Sequence, residues 1–313
     1  MDNLLTGLRA AAEATRLRVL ALLSRGELAV SELTQILGQS QPRVSRHLKL
    51  LCDAGLLDRF PEGAWVFYRL SSNCEGAKIT HALLGLLPQN DTILDLDSQR
   101  LEAIRTHRAE KAARYFDTHA QRWDELSSAL VNRNGVERAL KQIVTDFKAR
   151  DLVDMGTGTG QALTVLAECV AQAVGFDQSR EMLAVARANL EQAGLSHCMV
   201  RQGDISQLPL AENSTDCVVI HQVLHYMPEP AKVIEEAHRI LRPGGHILVA
   251  DYAPHSEEVL RDQHAHRRLG FPNAEVHGWF AQVGLHSEKV HTITGPRLTV
   301  MVWTATKPAK DLP

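Results

Sequence analysis

"LVDMGTGTGQ", residues 152–161, decides how the larger part of this chain folds. A short apolar run ends in an acid, Asp154, and breaks into glycines at every second position, Gly156, Gly158 and Gly160. That order predicts a strand, a tight turn and the opening of a helix, because glycine lets backbone N–H groups approach a ligand closely. Outward from the loop the rhythm repeats in "AQAVGFD" (171–177), "DCVVIHQV" (216–223) and "HILVADY" (246–252). Short apolar strands alternating with amphipathic helices predict a parallel, doubly wound, Rossmann-like sheet.

A glycine loop by itself names no ligand. The dinucleotide pattern G-x-G-x-x-G, counted from Gly156, needs a third glycine where Gln161 stands. Three neighbours sharpen the reading. Asp177 ends the second strand, where an acid can hold two ribose hydroxyls. "RQGDISQLPL" places Asp204 and Ile205 after the third strand, and "ILRPGGHILVADY" supplies a helix, turn and strand after the fourth.

Together these stretches resemble class I S-adenosylmethionine (SAM) methyltransferases, especially the UbiE-like branch, across roughly residues 111–255. The resemblance implies that Asp154, Gly156, Gly158 and Gly160 meet the methionine end of the cofactor. It gives the ribose to Asp177 and the adenine to Asp204 and Ile205. "YFDTHAQRWDEL" resembles the N-terminal lid of that branch, which implies that Tyr115 and Trp123 close over the site. Thr157 stands where many relatives have Cys or Ala.

Methyl transfer is an in-line displacement in which alignment supplies most of the rate, so no universal catalytic side chain exists to find. "HQVLHYM" nevertheless sets His221 and His225 at the carboxyl end of a strand, where ligands of open sheets bind. Either imidazole could take a proton from an oxygen or nitrogen acceptor, or both could only shape the pocket. "HAHRR" at 264–268 reads as a solvated helix face.

The first seventy residues read differently. "QSQPRVSRHLKLLCDAGLL" (39–57) puts Val44, Leu48 and Leu51 on one helical face and Arg43, Arg46 and Lys49 on the other. A helix ending at Gly38 precedes it, with Ser40 as a candidate N-cap and Pro42 in the first turn. "LLDRF", "PEG" and "AWVFYRL" then read as two strands around a turn, which completes a winged helix-turn-helix. In that fold the start of the second helix meets base edges and flanking basic groups clamp phosphates. Gln41, Arg43, Ser45 and Arg46 are the base-or-phosphate candidates, with Lys49 and the wing residue Arg59 for phosphate. Residues 13–70 closely resemble the arsenic-repressor (ArsR) family. Many members carry "ELCVCDL", whose thiolates bind soft metals, where this chain has "ELAVSEL". Ala29 and Ser31 remove that site. Asp97, His107 and Glu110 do not match the spacing of the family's zinc site and read as a solvated helix, so no metal is expected.

Composition agrees with two linked domains. The chain has 313 residues and a net charge of −3, yet residues 1–70 carry nine Lys/Arg against seven Asp/Glu. A DNA face must therefore be local and N-terminal. Five scattered cysteines suggest free thiols in a reducing cytosol, and no apolar run approaches a membrane span. The expected organisation is an α/β chain: a winged helix-turn-helix over 1–87, a helical linker or dimerisation segment over 88–110, and a Rossmann-like class I methyltransferase domain over 111–313. Fusions of this kind resemble repressors responsive to S-adenosylhomocysteine (SAH). That implies a cytoplasmic homodimer, nucleoid-associated when bound to an inverted-repeat duplex operator, with SAM or SAH as its small-molecule partner. The competing expectation is a working methyltransferase that carries a DNA-binding head.

Overall fold

The structure is a computed structural model that describes residues 1–62, 65–71, 74–88, 90–119, 130–264 and 266–309. The chain divides into two compact units, Met1–Arg108 and Ala109–Pro313.

The first unit holds helices α1 (Asp2–Ala11), α2 (Ala14–Leu23), α3 (Val30–Leu37), α4 (Gln41–Asp53) and α5 (Cys74–Gly85), and the first part of α6 (Thr92–His119). Strands β1 (Leu28–Ala29), β2 (Leu57–Glu62) and β3 (Trp65–Leu70) form an antiparallel sheet in the order β1-β3-β2. This is the expected winged helix-turn-helix. Val19, Leu20, Leu33, Ile36, Val44, Leu48 and Leu51 are fully buried and make its core. Burial of such side chains contributes roughly 1.5–3 kcal/mol each.

The apolar spacing over 4–24 runs without interruption, but the structure breaks it at Ala12–Glu13. The Glu13 carboxylate accepts the Arg16 amide at 2.9 Å and caps a new helix, α2. Ser40 occupies the N-cap position of α4, yet its hydroxyl makes no capping bond. Arginines tie α6 to the unit: Arg18 grips Asp97 with two bonds of 2.6 and 2.7 Å, and Arg100 donates to the Ile36 carbonyl at 2.8 Å. Arg105 reaches the Arg25 carbonyl and Arg108 pairs with Glu32.

The second unit is built on a seven-stranded sheet in the order β6-β5-β4-β7-β8-β10-β9. Its strands are β4 (Asp151–Met155), β5 (Gln172–Asp177), β6 (Cys198–Gln202), β7 (Thr215–His221), β8 (Leu241–Tyr252), β9 (His286–Thr294) and β10 (Thr299–Thr306). The first five run parallel; β10 pairs antiparallel with both β8 and β9. Central strands are apolar on both faces, as a covered parallel sheet requires. Leu152, Cys217, Val219 and Leu248 pack with α7 (Arg133–Phe147), α8 (Gln161–Leu166) and α9 (Arg180–Gln192). Their neighbours Val153, Val218, Ile220 and Ile247 pack with α10 (Pro230–Ile240) and α12 (Asn273–Gln282); α11 (Val259–His264) completes the helices used below.

Candidate functional site

In the first unit, α4 presents a polar face. Gln41, Arg43, Arg46 and Lys49 are exposed, Ser45 is half-buried, and Arg59 is exposed on the wing strand β2. Val44, Leu48 and Leu51 hold the opposite face in the core. Ala29 is buried in β1, paired with Phe67, and offers no donor. Asp97 is 2% exposed and held by Arg18, whereas His107 and Glu110 are exposed on α6.

In the second unit the glycine loop joins β4 to α8. The amides of Gly156 and Thr157 both donate to the Phe176 carbonyl, at 2.8 and 2.9 Å, which curls the chain back over β5. Gly156, Gly158 and Gly160 have φ of 83°, 53° and 79°, a region that side-chain-bearing residues avoid. A Cβ on Gly156 would lie 2.5 Å from Val223, so the loop following β7 seats directly on it. At Gly158 such a Cβ would meet nothing within 4 Å, and that side of the loop is open.

Asp177, at the end of β5, accepts the Gly158 amide on one carboxylate oxygen at 2.9 Å and the Ser179 amide on the other at 2.8 Å. Asp154 is 1% exposed, and among the described residues neither of its carboxylate oxygens has a hydrogen-bond partner of good geometry, the Thr157 hydroxyl lying close by. Burial pushes its carboxyl up to about 7; the Thr157 hydroxyl opposes the rise and the Asp177 charge adds to it. A buried carboxylate without a partner is costly, and a cationic ligand would relieve that cost. Asp204 follows β6, is exposed, and caps the Ser206 amide at 2.8 Å. Ile205 is 4% exposed and packs with Phe176, Met155 and Leu208, so most of its surface serves the core. Of the two residues expected in a lid, Trp123 lies outside the described residues, and Tyr115 outside those whose side chains are described.

His221 ends β7 and is half-buried; burial pushes its imidazole down to about 4, which keeps it neutral. His225 lies in the 3-10 turn Leu224–Tyr226 with no solvent exposure. Its Nδ1 is 2.7 Å from Oδ1 of Asp251, and its backbone amide donates to Oδ2 of the same residue at 3.3 Å. Asp251, fully buried on β8, is the residue that reasoning from sequence missed. Its signal was present: like Asp177, it is an acid near the end of an apolar strand. His266, Tyr226 and Tyr252 surround the imidazole, with ring centroids 4.1, 4.1 and 5.1 Å away.

Comparison with known proteins gives this geometry a class. Residues 13–59 match the profile of the bacterial regulatory proteins of the arsR family, and residues 146–293 match that of a methyltransferase domain. The chain therefore joins an ArsR-family helix-turn-helix to a class I methyltransferase domain. Among relatives, an uncharacterised 37.1 kDa protein in transposon TN4556 of Streptomyces fradiae is 38% identical over 121 residues, covering 36% of this chain and 34% of its own. An arsenite methyltransferase of Halobacterium salinarum is 31% identical over 117 residues, covering 36% and 30%. The chain thus spans about a third of the length of these relatives. The fold matches a candidate methyltransferase from Bacillus halodurans with a TM-score of 0.50 at 20% identity, covering 55% of this chain and 99% of that one.

Cysteine placement bears on the arsenite relative. Cys198 and Cys217 stand at or near the starts of β6 and β7, away from the strand ends that carry Asp177 and His221. Both are buried, and burial pushes the Cys198 thiol up to about 11 and that of Cys217 higher still. Cys52 lies in the first unit, also raised to about 11 by burial, and Cys169 is half-buried after α8. Thiolate capture of a soft metal needs converging, ionised sulfurs. The four described thiols offer none beside the glycine loop.

Proposed function

We propose that this chain is a transcriptional regulator that reads DNA through α4 and binds SAM and SAH in its methyltransferase unit, as a sensor of methylation status. One observation carries the reading: the buried, unpartnered Asp154 carboxylate beside a glycine loop held by Asp177. SAM carries a sulfonium charge and SAH does not, so a group poised between charge states can answer to the difference. The cofactor, when bound, supplies the methyl group and that positive charge; Asp154, the loop glycines and Asp177 are the residues to hold it. Asp204 and Ile205 take the adenine side, with Tyr115 and Trp123 in the lid.

On DNA, Gln41, Arg43, Ser45 and Arg46 read bases or phosphates, while Lys49 and Arg59 hold phosphates. The regulator acts as a cytoplasmic homodimer on an inverted repeat, nucleoid-associated when bound. Exposed Leu4, Leu5 and Leu8 on α1, each at least 40% accessible, supply an apolar face for that pairing.

The test is the affinity of the full chain for an inverted-repeat duplex selected from random DNA, read by fluorescence anisotropy with no ligand, saturating SAM and saturating SAH. One ligand should shift affinity at least about fivefold, with SAH the releasing signal, because coupling of 1–3 kcal/mol is typical of allosteric pairs. Three superimposable curves would remove the sensor reading. A second reading, a working methyltransferase with a DNA-binding head, draws support from the imidazole–carboxylate pair His225–Asp251, with His221 nearby.

A further inference from the structure

His225 has an arrangement that packing alone does not require. Asp251 accepts three donors: the imidazole Nδ1–H, the backbone amide of His225 and that of Tyr252 at 2.8 Å. With the proton held on Nδ1, the other ring nitrogen, Nε2, carries a lone pair. That nitrogen is fully buried and has no hydrogen-bond partner among the described residues. A buried acceptor left unmade costs stability, so its retention points to a partner supplied from outside. Its setting is the carboxyl edge of the sheet, two residues beyond Val223, which seats on Gly156.

We infer that His225 Nε2 is the proton acceptor for the hydroxyl of a methyl-accepting substrate, with Asp251 the positioning residue that fixes its tautomer. This rests on the glycine loop holding SAM. Tyr226, Tyr252 and His266 pack their rings against the imidazole, with centroids within 5.1 Å, and hold its plane, so a substrate meets it only at the Nε2 edge. In the step, the substrate oxygen forms a bond to the methyl carbon of SAM as the methyl–sulfur bond breaks. The bonding pair stays on sulfur, giving neutral SAH, and the hydroxyl proton passes to Nε2. Asp251 then faces an imidazolium, the logic of a histidine oriented by a buried carboxylate. His221 is the weaker candidate, since no carboxylate is hydrogen-bonded to its ring among the described residues. Residues 266–271 close over the site, the Arg267 and Arg268 amides donating to the His225 carbonyl, so this segment must move aside to admit a substrate.

The experiment is nitrogen-15 NMR of the histidine rings in the full chain saturated with SAH, with phenol as the probe. His225 should show a protonated Nδ1 and an unprotonated Nε2, and phenol should move the Nε2 resonance upfield as its hydroxyl donates. In Asp251→Asn the amide can donate to Nδ1, so the proton should move to Nε2 and the response to phenol vanish. If that variant does not fold, the wild-type spectra decide alone. A proton on Nε2 in the SAH complex, or an Nε2 unmoved by phenol while calorimetry shows SAH bound, overturns the inference. Absence of SAH binding is a separate failure, which removes the cofactor reading and this inference with it.

Discussion

Gly158 donates its amide to the carboxylate of Asp177 across nineteen positions of sequence, at 2.9 Å. The bond couples two parts of the proposed cofactor cradle: the loop's open side and the acid at the end of β5. Each Asp177 oxygen has accepted one backbone N–H and retains a second lone pair. Removing the carboxylate takes away the tie that shapes the loop and, in the proposed cradle, the ribose anchor. Asp177→Ala should weaken SAM and SAH together by about 2–3 kcal/mol, tens-fold or more in affinity. Calorimetry checks this, and equal affinities in variant and wild type would exclude Asp177 from the cradle.

Asp154 predicts an unusual pH profile. An unfolded aspartate ionises near pH 4, whereas this one keeps its proton to about 7. Between those values the folded unit binds more protons than the unfolded chain. Stability therefore falls as pH rises through the window, by at most about 4 kcal/mol. His221 slopes the other way: its folded pKa of about 4 lies below the unfolded value near 6.5, so its contribution is lost as pH falls through that range. The two partly cancel in the wild type. Asp154→Asn should leave the His221 slope alone, raise stability at neutral pH, and weaken SAM binding more than SAH binding. Urea unfolding from about pH 4 to about pH 8 reads the first two effects.

On DNA, exposed Lys49 and Arg46 should behave differently. Lys49→Ala should weaken binding evenly across sequences and reduce the salt slope by about one unit, as loss of a phosphate contact does. Arg46→Ala should relax discrimination among sequences, at a cost of about 1–3 kcal/mol on the preferred site. Binding isotherms on the selected duplex and on random DNA at several salt concentrations separate the two. Wild-type binding without sequence preference would make α4 a non-specific surface.

Much of this was readable in advance, for local reasons. Val44, Leu48 and Leu51 revealed α4 because their spacing matches a helical face, and Gly156–Gly160 revealed the loop because only glycine accepts its backbone angles. The break at Glu13 was not readable, since its neighbours continue the helical spacing and only the carboxylate-to-Arg16 bond ends it. The pairing of His225 with Asp251 escaped for a different reason. Twenty-six residues and a whole helix separate them, and only the parallel placement of β7 beside β8 brings them together. The burial of Asp154 is likewise a property of packing that no residue pattern carries.

The Arg18–Asp97 pair makes a sharper claim about the first unit. Asp97 is almost wholly buried, so Arg18→Met would leave its charge without compensation, at a cost of about 3 kcal/mol or more. Adding Asp97→Leu should recover most of that loss, because an apolar pair can replace a buried ion pair at little cost. Denaturant midpoints of the two variants and their combination test it. Additive losses would mean that the pair is not the link between α2 and α6.

The thiols give the chain a set of internal clocks. Half-buried Cys169 is open to a thiol reagent in the native state, whereas Cys217, sealed near the start of β7, reacts only when the central sheet opens. Cys52 reports on the other unit: it is half-buried on α4 against that unit's core, and burial raises its thiol to about 11, which slows its reaction. Anything bound at the glycine loop slows the Cys217 clock by mass action. Whether the Cys52 clock slows with it depends on whether the two units share one cooperative transition, so these two cysteines turn cooperativity between the units into a pair of half-lives.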